Sequence, residues 1–195
     1  ISEDRRKNPR DDVASIIANA QIDGAPIGDL EAAGYYIIVA TAGHDTTSSS
    51  TAGGLLALLE NPGEFDKLRA DPDRHLAGAV DEMIRWVSPV RHFMRTATVD
   101  TPLRDKVIKA GESVILWYPS ANRDEEVFEA PFEFSVERPA ARNLAFGYGA
   151  HVCLGQHLAR MEMEALYRAL LERVEHIELD GTPQYAQAAF VGGLK

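Results

Sequence analysis

The sequence predicts a mainly α fold with minor antiparallel β structure. Three features point to it: a helix-length stretch from Asp29 to about Glu60, apolar residues at helical spacing from Cys153 to about Val174, and two short strand-like runs, Met94 to Val99 and Ser113 to Tyr118. Asp11 and Asp12 can cap a short helix through Ala20, with Val13, Ile16 and Ile17 on one side. Asp23-Gly24 and the residues on to Gly28 read as a turn. Asp29 is placed as the N-cap of a helix that stops at Asn61-Pro62-Gly63, which at about 1.5 Å per residue would run about 48 Å. Its middle is unusual, because Gly43 and the polar run from His44 to Thr51 are poor helix formers. Asn61 is expected to cap a helix through Ala70, and a further helix from about Leu76 to Val87 ends before Pro89. Residues 122–145 lack steady periodicity and carry Pro131 and Pro139, and an irregular stretch of that length is often functional. Beyond it, Leu154, Leu158, Met161, Ala165 and Leu166 recur at helical spacing.

The 195 residues amount to one domain or a piece of one. With 45% hydrophobic and 26% charged residues, the composition excludes a disordered, collagen-like or disulfide-scaffold chain. The longest nearly apolar run, Tyr35 to Ala42, falls far short of the ~20 residues that span a bilayer. Acidic residues outnumber basic ones, 30 to 20, with no basic stripe, which argues against nucleic acid as a partner. The single cysteine, Cys153, allows no internal disulfide and fits a reducing compartment. Residues 1–12 are polar and charged, unlike a secretory signal. The chain opens on Ile1 and stops in what reads as strand and turn, Phe190-Val191-Gly192-Gly193-Leu194-Lys195, so it reads as cut at both ends.

The strongest chemical signal is Phe146-Gly147-Tyr148-Gly149-Ala150-His151-Val152-Cys153-Leu154-Gly155. Glycines bracket a cysteine that reads as opening a helix, where free N–H groups and the positive end of the dipole stabilise a thiolate. Gly149 and Gly155 would let backbone or a flat cofactor come close. A sulfur held this way suits haem iron. Two other readings stand beside it: a buried structural cysteine, and a zinc site of a hydrolase built from His151, Cys153 and His157, whose spacing is not a common zinc pattern. Phenylalanine at −7 and glycine at −4 and +2 around one cysteine arise by chance roughly twice in ten thousand.

Phe146-x-x-Gly149-x-x-x-Cys153-x-Gly155, Ala42-Gly43-x-Asp45-Thr46-Thr47 and Glu82-x-x-Arg85 together resemble the cysteine-ligand, distal-helix and helix-K signatures of the cytochrome P450 superfamily, in the family's order and spacing. Glu82-x-x-Arg85 is weak alone, since Glu3-x-x-Arg6 matches too and such a pair is expected about once by chance. The resemblance implies a partial cytochrome P450 domain over residues 1–195, the C-terminal half only, with the N-terminal half absent. It is nearest to the soluble bacterial, alpha-terpineol hydroxylase-like branch, through Ala42 to Ser50, Tyr118 to Phe128 and Phe190 to Gly193.

That resemblance implies a haem-thiolate monooxygenase that inserts one atom of O2 into a small apolar substrate, terpenoid-like, alicyclic or aromatic. Its cofactor is haem b (iron protoporphyrin IX), with Cys153 as axial ligand. Electrons come from NAD(P)H through a ferredoxin reductase and an iron–sulfur ferredoxin. The resemblance further implies a cytoplasmic location, with no membrane or nucleic-acid partner expected. Arg95 and His151 match haem-propionate partners, and Phe146, Ala42 and Gly155 complete the cofactor site. Glu82 and Arg85 match a pair that joins an arginine of the irregular segment, here Arg138, to pin residues 122–145. Ile38, Thr41, Val90, Phe93, Phe190 and Val191 match the substrate pocket, all apolar but Thr41. Positions 38, 42, 45, 46 and 49 share one helix face, Gly43 permits local widening of the helix, and Asp45 with Thr46 offers a proton-delivery pair for dioxygen. The plain alternative for the hydroxyls is back-bonding to helix carbonyls. A non-catalytic haem-binding module or an inactive fragment is the rival reading of the whole, and the chain alone is expected to bind haem weakly.

Overall fold

The computed structural model describes residues 1–139 and 143–194. By compactness the chain divides into two units, Ile1–Asp45 and Thr46–Lys195. The division falls within one helix.

The first unit holds α1 (Ser2–Lys7), α2 (Val13–Ala18), the hairpin of β1 (Gln21–Ile22) and β2 (Ala25–Pro26), and the start of α3 (Asp29–Glu60). Asp12 caps α2 through a 2.7 Å bond accepted from the Ser15 N–H. Hydrogen bonds from Ser15, first from its hydroxyl and then from its backbone, hold the Asp12 carboxyl below the usual range. The hairpin turns at Asp23 and Gly24, both with positive φ, the geometry that matches the twist of paired strands. Ile17, Ile27 and Ala32 form a small core, with Ala20 and Tyr36 against it, and the Tyr36 hydroxyl donates to the Ala14 carbonyl. The sequence reading needs two corrections here. α2 ends at Ala18, and Val13 and Ile16 are exposed rather than sharing the buried side of Ile17. α1 carries no apolar period to predict it; it is supported by Glu3–Lys7 pairing across one turn.

The second unit contains the rest of α3, α4 (Pro62–Ala70), α5 (Pro72–Val87), β3 (His92–Thr96), β4 (Thr101–Leu103), β5 (Lys106–Ile108), β6 (Ser113–Trp117), α6 (Tyr118–Ala121) and α7 (Gln156–Arg173). α5 starts four residues before the expected Leu76, because Asp71 accepts the Arg74 N–H and Pro72 fits the first turn. Asn61 does not cap α4 with its side chain, which donates instead to the Ala57 carbonyl. β3 and β6 pair antiparallel, His92 opposite Trp117 and Thr96 opposite Ser113, while β4 and β5 form a separate hairpin. β3 thus runs earlier than the expected 94–99.

The core gathers Leu58 of α3, Leu68 of α4, Ala79, Val80 and Met83 of α5, and Met163 and Tyr167 of α7, closed by Phe134 and Val136 from the irregular segment. The Tyr167 hydroxyl reaches the Thr51 carbonyl at 2.6 Å. α7 begins at Gln156, so Cys153 precedes it. The stripe Leu154, Leu158, Met161 and Leu166 has helical spacing but is exposed, and Met163 and Tyr167 form the buried face instead. Of the irregular stretch 122–145, residues 140–142 lie outside the described ones, as does Lys195 at the end of the terminal run.

Candidate functional site: the cysteine loop and its supports

The cysteine loop is shaped by its glycines. Gly147 and Gly149 take φ of +71° and +75°, a backbone region costly for other residues. They let the chain turn so that the Cys153 N–H donates to the Phe146 carbonyl at 2.9 Å. A short 3₁₀ turn, Gly149–His151, lies between, and Gly155 is the N-cap of α7. The expectation that Cys153 opens the helix is corrected: it stands in the loop, two residues before that cap. Cys153 is a free, exposed thiol, which removes the buried structural reading. His151 is exposed as well. Among the described residues no group of three or more His, Cys, Asp or Glu side chains is placed to hold a metal ion, so His151, Cys153 and His157 offer no zinc donor set.

The loop is braced from behind. Arg160 of α7 places its guanidinium 4.6 Å from the Phe146 ring centroid and donates to Asp81 of α5 at 2.8 Å. Asn122, fully buried, accepts the Leu144 N–H at 2.6 Å and donates to the Ser88 hydroxyl at 2.8 Å. Neither residue is singled out by the sequence reading. A polar asparagine amid helix-ending residues is a faint signal, and an arginine within a helix is none.

Glu82 and Arg85 are both buried on α5. Arg85 also donates to the carbonyls of Asn122 at 2.7 Å, Pro131 at 3.0 Å and Glu133 at 3.3 Å. Arg138 donates to Glu82 Oε2 at 3.0 Å and to the carbonyls of Glu129, Ala130 and Glu133. Glu82 Oε1 also accepts the Ser135 N–H at 3.1 Å. The three side chains thereby satisfy backbone groups of the irregular segment that no sheet or helix serves.

Arg95, half-buried on β3, donates to the Met94 carbonyl. It borders a concavity of about 910 Å³ together with Leu116, Tyr118, Leu144, Gly147 and Tyr148, so β3 and the start of the cysteine loop share one hollow. Val90 bridges Val191, and the Phe93 and Phe190 rings meet edge-on with centroids 5.2 Å apart. These four expected pocket residues are therefore together.

On α3 the helix is regular α through Gly43, with no widened turn. Ile38, Thr41 and Ala42 are exposed in the first unit, and the Thr41 hydroxyl back-bonds to the Ile37 carbonyl at 2.8 Å. Asp45 is exposed and its Oδ1 lies 2.9 Å from His44 Nδ1, while Thr46 is half-buried. Among the described residues no helix is long and apolar enough to cross a membrane.

Comparison with known proteins adds the family. The cytochrome P450 family model matches residues 2–186. Cytochrome P450-terp of a Pseudomonas species is 49% identical over 192 residues, covering 98% of this chain and 45% of that protein. Linalool 8-monooxygenase of Pseudomonas putida is 38% identical, covering 100% of this chain and 48% of the relative. The crystal structure of a cytochrome P450 from Novosphingobium aromaticivorans superposes with a TM-score of 0.93 at 52% identity, covering 100% of this chain and 47% of that one. The chain thus spans about half the length of the relatives it matches, with a mainly helical partial P450 fold. On the extent of that match and the shared architecture, the chain belongs to the cytochrome P450 family.

Proposed function

We propose that this chain is the cysteine-loop half of a haem-thiolate monooxygenase acting on small apolar molecules. The observation that carries the reading is the exposed Cys153 thiol, held in a glycine-turned loop closed by its own N–H on the Phe146 carbonyl. The residues fit haem b. Side chains added at Gly149 or Gly155 would meet nothing within 4 Å, so a flat macrocycle has room beside the sulfur. Cys153 would hold the iron, Phe146 and Gly155 would contact the ring, and Arg95 and His151 would bind the propionates; Ala42, in the first unit, carries over as a cofactor-contact residue from the family resemblance alone. Haem, when bound, supplies the activation of dioxygen, which thiolate ligation favours.

The chain's own residues do the rest. Thr46 presents a hydroxyl and Asp45 a carboxylate for moving protons toward the oxygen being reduced. Val90, Phe93, Phe190 and Val191 form an apolar, aromatic wall that excludes water and orients the substrate; Ile38 and Thr41, in the first unit, carry over as pocket residues from the family resemblance alone. A terpenoid-like substrate is supported by that lining and by a relative named for linalool. Electrons arrive from NAD(P)H through a ferredoxin reductase and an iron–sulfur ferredoxin, in the cytoplasm.

The test is a chimera in which these 195 residues replace the matching stretch of cytochrome P450-terp. Supplied with NAD(P)H, reductase, ferredoxin and labelled O2, it is expected to yield a hydroxylated terpenoid with one labelled oxygen. A thiolate-ligated chimera that binds terpenoids but forms no oxygenated product contradicts the monooxygenase reading and favours a haem-binding module.

A further inference from the structure

Gly192 and Gly193 are not left-handed: neither has the positive φ found at Gly147 and Gly149. What excludes a side chain at Gly193 is space. A Cβ on Gly193 would overlap the Ser49 hydroxyl, and would lie 2.7 Å from Ser49 Cβ and 3.3 Å from its Cα. The Cα belongs to the backbone of α3, so no rotamer of Ser49 relieves the whole overlap. A Cβ on Gly192 would meet the Arg91 guanidinium at 2.5 Å, a flexible side-chain end that can swing aside. The terminal turn therefore sits directly on α3 at Ser49, one turn past Thr46.

The same turn is fastened on its other side. The Gly192 N–H donates to the Pro89 carbonyl and the Arg91 N–H to the Phe190 carbonyl, both at 2.9 Å. The Gly193 carbonyl accepts the Ala186 N–H, also at 2.9 Å. Phe190, three residues before Gly193, is held edge-on against Phe93 and 5.9 Å from the His92 ring. A lift at Gly193 loads the Gly192–Pro89 and Arg91–Phe190 hydrogen bonds, which link it to Phe190.

We propose that Ser49 and Gly193 are a pair of positioning residues: the contact of the Ser49 side chain with the bare Gly193 backbone sets how close the Phe190–Val191 wall stands to the α3 face bearing Thr46, and so sets the size of substrate admitted. The selectivity part rests on the reading that Phe190 and Val191 line the substrate pocket. The contact itself rests on geometry alone.

The pair can be exchanged. Gly193→Ala adds a methyl where none fits, and Ser49→Gly removes the hydroxymethyl that opposes it. In the 195-residue chain, hydrogen exchange is read at the Gly192 and Arg91 amides, with no cofactor involved. Gly193→Ala is expected to speed both by roughly tenfold, the scale of coupling between residues in contact. The double variant S49G/G193A is expected to restore most of the protection. Unchanged exchange in Gly193→Ala, or a double variant no better protected than the single, overturns the contact.

In the haem-loaded P450-terp chimera, the ratio of dissociation constants for a one-ring and a two-ring terpene alcohol is read from the substrate-induced shift of the haem band. Gly193→Ala is expected to move that ratio toward the two-ring compound by roughly tenfold, the size of effect one carbon has in an apolar pocket. S49G/G193A is expected to move it back. A ratio untouched by Gly193→Ala overturns the selectivity role while leaving the contact standing. If the unmutated chimera loads haem without a thiolate spectrum, the cofactor reading fails, and the exchange measurement still decides the contact.

Discussion

Glu82 and Arg85 stand one turn apart on α5 and bind each other through two parallel contacts, Nε to Oε2 at 2.7 Å and Nη2 to Oε1 at 2.8 Å. Their side chains are 1% and 2% exposed. A buried ion pair of this kind is not by itself a source of stability, because desolvation offsets the attraction. Its value lies in the remaining donors and acceptors, which go to Asn122, Pro131, Glu133, Ser135 and Arg138.

Removing one partner leaves the other charged and buried. Arg85→Ala or Glu82→Ala is expected to destabilise the chain by about 3–5 kcal/mol. Urea unfolding followed by far-UV circular dichroism measures it. The irregular segment is expected to gain protease sensitivity in both variants. A loss under about 1 kcal/mol, the range of exposed pairs, contradicts the burial argument.

Tyr167 gives a stability prediction with a pH signature. Burial pushes its phenol well above the ordinary value of about 10. In the unfolded chain the phenol ionises near pH 10, while in the folded chain it stays neutral. The group's contribution is therefore full below pH 10 and is lost as pH rises beyond it. Tyr167→Phe is expected to cost about 1 kcal/mol at neutral pH, through the hydrogen bond to the Thr51 carbonyl. The variant should lose less stability than the parent between pH 9 and 11, measured by urea titration at each pH.

Much of this was legible in the sequence, and the exceptions share a cause. α3 is readable from Asp29 to Glu60 because a long helical stretch is bounded by Asp29 and Asn-Pro-Gly, although Asp29 is the first helical residue and pairs with Arg6 rather than serving as the N-cap. The cysteine loop is readable because glycines at fixed offsets have few other uses. The face of α7 is misjudged because two stripes of apolar residues share one helical period, and only tertiary contacts decide that Met163 and Tyr167 are buried while Met161 is 65% exposed. α1 escapes because its support is charge pairing. Asn122 and Arg160 escape because their partners lie far along the chain, at Leu144 and Asp81.

The proton-delivery role predicts a particular failure. In the chimera, Thr46→Ala should still bind substrate and consume NAD(P)H. Reducing equivalents should be diverted to hydrogen peroxide, with product per NAD(P)H falling by about tenfold or more, the scale of positioned acid–base catalysis being 10²–10⁴. Product and peroxide are quantified together. Undiminished coupling contradicts the role.

The isolated chain should bind haem weakly. Its exposed apolar residues include Leu154 just before α7 and Leu158 and Met161 on it, a patch of the sort that favours association. Titration with haem is expected to give weak affinity, no turnover with a ferredoxin system, and light scattering that rises with concentration. Tight binding with substrate hydroxylation by the chain alone contradicts this.

The central claim is that Cys153 is the thiolate ligand of haem iron. The most direct measurement is the ferrous–carbon monoxide spectrum of the P450-terp chimera, with Cys153 present and with Cys153→Ala. The account predicts the red-shifted Soret band of thiolate ligation with Cys153 and its loss in Cys153→Ala. A red-shifted band that persists without Cys153, or one absent from a haem-loaded chimera that retains it, would contradict the account.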